Sequence, residues 1–134
     1  MPVFNTSIQD AEKTVTKIFN TSTNQVVGVY DICTASGGDV WIDIIGFYVS
    51  QSATGLTAIS VQTDDAVPLT ILTSTEGLLA NLVTGTNLVQ AFSRRFVLAS
   101  GKKIQLSILT TNGTGGNIRT IIRTCPTKAG ATIV

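Results

Sequence analysis

Short runs of β-branched and apolar residues recur along this chain, each closed by a cluster of Gly, Asn, Asp, Ser or Thr, with no helical alternation between them. Residues 13–19, 25–34, 39–51, 56–63, 67–73, 88–92, 95–99, 103–110 and 117–125 are such runs. Val, Ile and Thr crowd a helix at χ1 but pack well on a pleated sheet. About eight to ten short strands spaced by turns predict an antiparallel β-sandwich or barrel. A parallel sheet would need helical crossovers that this pattern lacks. The expected fold is therefore all-β and jelly-roll-like, and only residues 74–81 leave room for a short helix.

The alternation within the runs assigns faces. In 39–51, Val40, Ile42 and Ile44 share one face, opposite Asp39, Trp41 and Asp43; then Ile45, Phe47 and Val49 become the apolar set. A one-residue slip of phase is what a β-bulge produces, and Gly46 marks its expected place. Because Trp41 and Tyr48 belong to this core-like strand, both are expected to pack in the core. In 103–110, Ile104, Leu106 and Ile108 point inward. Pro68 makes 67–73 an edge strand, since proline cannot donate to a ladder. Residues 112–116, Asn-Gly-Thr-Gly-Gly, read as a hairpin loop.

Length and termini set the domain plan. At 134 residues the chain holds one core. The division is an N-terminal arm at 1–12, a β-sandwich domain at 13–127 and a C-terminal tail at 128–134. The arm carries Val3, Phe4 and Ile8 without periodic continuation, which suits a strap onto a neighbouring subunit. No apolar run approaches the roughly 18 residues of a membrane helix. No basic segment leads into an apolar stretch as in a signal peptide. A membrane is not an expected partner.

Charge is scarce. Asp, Glu, Lys and Arg make up 13% of the chain, about half the usual share. Hydroxyls fill the gap, with 21 Thr and 10 Ser. Seventeen charged groups leave roughly 400 Å² of surface per charge for a folded monomer of this mass. A surface so poorly protected against association is expected to be covered by copies of itself or by a partner. The net charge of +1 hides an asymmetry: residues 1–93 hold all eight acids and two lysines, and residues 94–134 hold seven bases and no acid. Early and late strands paired in one sheet would neutralise each other. A basic face built on Arg94, Arg95, Lys102 and Lys103 is the alternative. Nucleic acid is not an expected partner, because such a surface needs more bases interleaved with aromatics.

No constellation for catalysis stands out. The chain has no His, which removes the commonest general base and metal ligand. Asp39 and Asp43 lie roughly 13 Å apart on one strand, too far for a glycosidase pair. Asp64-Asp65 in a turn is weak evidence for a hard cation. The glycines of 113–116 precede a strand, so they do not cradle phosphate at a helix N-terminus. Cys33 and Cys125 read as small core hydrophobes; if paired, they would tie the first core strand to the last. The chain is expected not to be an enzyme, with no catalytic residue, metal or cofactor.

The order of the pieces resembles a family. Val29–Ile32, the Thr-Ala-Ser-Gly-Gly turn ending at Gly38, the strand from Val40 to Gly46 and Thr84-Gly85-Thr86 look like the opening of small tailed-bacteriophage capsid decoration (cement) or head-fibre-base proteins. The closing Ser100-Gly101 turn, Lys103-Ile104 strand start, Asn/Thr/Gly loop and last strand also resemble them, and the likeness covers roughly residues 13–127. The departure is in the last strand, often apolar and acidic in those chains but carrying Arg119 and Arg123 here. The resemblance implies a structural virion protein that binds the outer surface of a phage head as a homotrimer, with the major capsid protein as partner. Val3, Phe4, Ile8, Arg94, Arg95, Lys102 and Lys103 are then the candidate contacts with capsid or neighbour. The alternative is a tail or fibre-tip module for a host surface glycan, with Trp41 and Tyr48 as stacking groups.

Overall fold

A computed structural model of the chain describes residues 13–19 and 26–134. Among these residues there are nine strands: β1 Lys13–Phe19, β2 Gly28–Ser36, β3 Val40–Thr54, β4 Ala58–Thr63, β5 Thr70–Leu72, β6 Asn87–Leu98, β7 Lys103–Leu109, β8 Gly115–Pro126 and β9 Thr132–Ile133. Among the described residues helix is confined to one 3₁₀ turn, Leu79–Asn81, inside the segment where the sequence left room for it. The arm residues Val3, Phe4 and Ile8 lie outside the described residues.

The pairing identifies the architecture. β1 pairs β8, β2 pairs β7, β3 pairs β6 and β4 pairs β5, all antiparallel. That is a chain doubled back between β4 and β5 and then wrapped, which brings β3 beside β8 and β4 beside β7. The result is two sheets, ordered β1-β8-β3-β6 and β5-β4-β7-β2-β9, the jelly roll of two interlocked Greek keys with one added strand. The added strand β9 falls in the tail at 128–134. It extends the β2 ladder, and Ala131 and Ile133 are buried in the core.

The core follows the period-two pattern. Val40, Ile42, Ile45, Phe47 and Val49 of β3, with Ile118 and Ile122 of β8 beside them, face Ile104, Leu106 and Ile108 of β7 and Ile59 and Val61 of β4 within one buried cluster. Each fully buried side chain of this size contributes about 1.5–3 kcal/mol of transfer free energy. The slip in β3 is present, but at Asp43 rather than Gly46. Ile42 stands opposite Thr124 and Ile44 opposite Arg123, so Asp43 is the extra residue and the inward set resumes at Ile45.

Two readings of the sequence are corrected. Residues 112–116 do not close a hairpin: β7 belongs to one sheet and β8 to the other, so the loop carries the chain between sheets. The runs 88–92 and 95–99 are one strand, β6, whose ladder with β3 is interrupted. Ile42 pairs Phe96 while Ile44 pairs Ala91, so residues 92–95 stand opposite the single residue Asp43. A bulge of that size disrupts an edge that would otherwise offer twelve residues for pairing with another chain. β5 is an edge strand as Pro68 required, although it starts only at Thr70.

Candidate functional site

The two sheets present outward faces of different chemistry. On the five-stranded sheet, Ser60 of β4 stands opposite Ser107 of β7, and Gln62 opposite Gln105. Lys103 Nζ donates to Asp31 Oδ2 at 2.7 Å, and Gln105 Nε2 donates to Asp31 Oδ1 at 2.9 Å. The hydrogen bond from Lys103, then that from Gln105, holds the Asp31 carboxyl below its ordinary pKa, and Asp31 in turn raises that of Lys103. This pair joins the acidic early part of the chain to the basic late part, as neighbouring strands were expected to do. The face is mostly polar, with Asp31, Lys103 and Gln105 bonded to one another, and Val29 exposed opposite Ser107.

The four-stranded sheet differs. Trp41 of β3 stands between Val97 of β6 and Cys125 of β8, and Tyr48 stands between Asn87 and Arg119. Ile121 lies opposite Gly46 and Arg123 opposite Ile44. Trp41, Tyr48, Val97 and Ile121 are 36–40% exposed, and Arg119 and Arg123 are exposed beside them. Core packing of Trp41 and Tyr48 is therefore overturned: the phase of β3 on either side of the Asp43 bulge turns both outward. Trp, Tyr and Arg at the centre of a face are the residues that most often dominate the energy of protein interfaces. Arg119, Ile121 and Arg123 were visible in the sequence as a period-two set on β8; their meeting with Trp41 and Tyr48 was not.

The bases singled out from the sequence are placed apart. Arg94 and Arg95 lie on β6 of the four-stranded sheet, in the stretch opposite Asp43, and their side chains lie outside the described residues. Lys102 ends the β6–β7 turn, where its N–H donates to the Ala99 carbonyl at 2.9 Å. Lys103 begins β7 in the other sheet and is held by Asp31. Asp64 Oδ1 accepts the Lys103 backbone N–H at 2.7 Å, which gives that acid a structural task in its turn. Cys33 and Cys125 are buried, one in each sheet, and are not joined in a disulfide. A shallow groove of about 310 Å³ lies between Gly37, Gly38, Asp39, Ser100, Thr127 and Lys128. Its polar groups serve the turns around it: Asp39 Oδ1 accepts from Ser100 N–H at 2.9 Å, and Thr127 Oγ1 donates to the Asp39 carbonyl at 2.7 Å. Among the described residues no three His, Cys, Asp or Glu side chains gather as metal ligands, and no helix is long and apolar enough to cross a membrane.

The wrapped topology can be compared with known chains. In fold the protein is similar to a chain of the acidic stable capsid structure of Helicobacter pylori bacteriophage KHP30, with a TM-score of 0.58 at 14% identity, over 92% of this chain and 93% of that one. The shared property is the fold. Chains of the T13 IBDV viral particle and of infectious bursal disease virus Gx strain match with TM-scores of 0.36 and 0.34 at 12% and 11% identity, over 92% of this chain and 37% and 38% of theirs. No protein-family model matches the chain, and no curated protein matches it.

Proposed function

We propose that this chain is a structural virion protein, a capsid decoration or cement protein that binds the outer surface of a phage head as a trimer. The observation that carries the reading is the end-to-end likeness in fold to a phage capsid chain, 92% of one against 93% of the other. A jelly roll that is nearly all strand and short connection makes a rigid plug. Its low charge suits a surface covered by copies and capsid. The face bearing Trp41, Tyr48, Ile121, Arg119 and Arg123 supplies a contact surface of the right composition for the major capsid protein. Val3, Phe4 and Ile8 of the arm supply a strap, and many weak contacts multiplied over a trimer give lasting attachment through effective concentration. In this reading the protein is not an enzyme and needs no cofactor.

The outward Trp41 and Tyr48 favour one second reading, a tail or fibre-tip module on which a host glycan stacks. One experiment separates the two. Phage heads stripped of accessory proteins are incubated with the purified chain, pelleted, and the bound copies counted per particle. Hundreds of saturable copies support decoration, and deletion of residues 1–12 should reduce them while leaving the trimer folded. No binding to heads, with retention on host-cell polysaccharide, supports the second reading and removes the first.

A further inference from the structure

The connections between strands divide the molecule by charge. Residues 20–27, 55–57, 73–86 and 110–114 link β1 to β2, β3 to β4, β5 to β6 and β7 to β8. The described parts gather at one end of the sandwich. Val27 N–H donates to Asn112 Oδ1 at 2.8 Å, and Thr57 Oγ1 meets Thr111 Oγ1 at 2.7 Å. Leu79 N–H donates to the Thr57 carbonyl at 3.0 Å, and Thr84 exchanges hydrogen bonds with Ser52 at 2.9 Å. The described residues of these four connections, 26–27, 55–57, 73–86 and 110–114, number twenty-four, of which Glu76 alone is charged and nine are Ser or Thr. At the chain's average of 13% about three charges belong there. Even Glu76 is engaged locally, its Oε1 accepting from the N–H and hydroxyl of Thr73 at 3.0 and 2.9 Å. At the opposite end, residues 37–39, 64–69, 99–102 and 127–131 place five charges among eighteen residues: Asp39, Asp64, Asp65, Lys102 and Lys128.

We propose that the uncharged end is a self-association surface, covered by the same end of neighbouring copies around a rotation axis. This deepens the reading of the chain as a trimer and rests on it. Near a rotation axis each group is brought close to its own copies, so a Lys or Asp there meets its own charge. Ser and Thr hydroxyls both donate and accept, so a hydroxyl can bond to an identical hydroxyl. The exposed aliphatics of this end, Val26 at 63% and Val83 at 50% with Val27 and Leu78 beside them, need no charged counterpart. Depletion of charge at the centre of a patch also marks interfaces generally. A partner selected by charge would gain nothing at this end, and the opposite end, with its Asp and Lys groups, is the poorer place for copies to meet.

Light scattering behind a sizing column tests the assignment on the full chain and on Val26→Lys, Val83→Lys and Trp41→Lys, with circular dichroism to confirm the strand fold of each. The expected result is a trimer for the parent and for Trp41→Lys, and a threefold drop in mass for Val26→Lys and Val83→Lys. High salt should partly reverse that drop by screening the introduced charges. If both end variants keep the parent mass while Trp41→Lys loses it, the self-association surface is the four-stranded sheet and the assignment is overturned. A parent that is monomeric at every concentration overturns both this surface and the trimer, while head binding in the pelleting experiment is judged separately.

Discussion

Thr120 stands directly opposite Phe47 across the β3–β8 ladder, and its buried hydroxyl has no hydrogen-bond partner among the described residues. Both side chains face the space between the sheets. An unpaired hydroxyl there costs roughly 1–3 kcal/mol relative to water. Thr120→Val keeps the shape and removes the unpaired group, so it should stabilise the protein by about 1 kcal/mol. Thr120→Ser keeps the hydroxyl and loses a methyl, so it should destabilise by about 1 kcal/mol. Urea titration of both variants is the check. Destabilisation by Thr120→Val would show that the hydroxyl has a partner such as an internal water.

A second prediction concerns the join between the β2–β3 turn and the C-terminal strand. Gly37 has φ +75°, and a Cβ there would run into the Gly130 carbonyl, just before β9. Gly85 has φ +90° but open space around it. Alanine at Gly85 should cost only the left-handed backbone penalty, about 1–2 kcal/mol. Alanine at Gly37 adds overpacking against backbone, for a total of about 2–5 kcal/mol. It should also loosen β9, which is held by mutual hydrogen bonds of 2.9 Å between Thr34 and Val134. Chemical unfolding gives the stabilities, and carboxypeptidase digestion reports the loosening. Equal losses for the two variants would deny the close approach.

How much of this was legible in the sequence differs by scale. The strands were, because Ile104, Leu106 and Ile108 can share a face only at period two, and the same test assigns β3 and β4. The exact position of a bulge was not. The adjacent Ile44 and Ile45 announce a slip, but which residue is extra is decided by the partners Thr124 and Arg123 on a strand about eighty residues away. The extra residue in β2, Ile32, which lets Ile32 and Cys33 both be buried, gave no turn signal at all. A Gly-rich loop such as 112–116 looks the same whether it returns along its own sheet or crosses to the other. The candidate interaction face was illegible for a related reason. Trp41, Tyr48, Val97, Arg119 and Ile121 come from three strands, and only the ladders bring them together.

The Asp31–Lys103 pair predicts a pH dependence. Asp31 has its pKa lowered in the folded state, so its contribution is fully present above the unfolded carboxylate value and is lost as pH falls through the folded value. Lys103 has its pKa raised, so its contribution is present below the unfolded lysine value and is lost only as pH rises through the folded one. Both groups are exposed, and the effect is correspondingly small. Melting temperatures of the parent and Asp31→Asn should differ slightly at neutral pH and converge in acid below the usual carboxylate range. A gap that persists unchanged in strong acid would mean that the substitution acts through packing or the Gln105 bond rather than through charge.

The outward face of the four-stranded sheet predicts where attachment to a particle is lost. Trp41 and Arg119 are surface groups on β3 and β8, so Trp41→Ala and Arg119→Glu should change folding stability by about 1 kcal/mol or less. At the centre of a docked interface, the same substitutions cost about 2 kcal/mol or more, which is at least roughly a thirtyfold loss of affinity. Gln62→Ala, on the outward face of the other sheet, should leave binding unchanged. The assay is retention on stripped heads, with thermal melts alongside. A pattern in which Gln62→Ala weakens retention and Trp41→Ala does not would reverse the docking orientation, setting the mostly polar face against the capsid. Loss in all three would mean that the particle grips both faces, as it would if the chain were wedged between capsid subunits rather than seated on them.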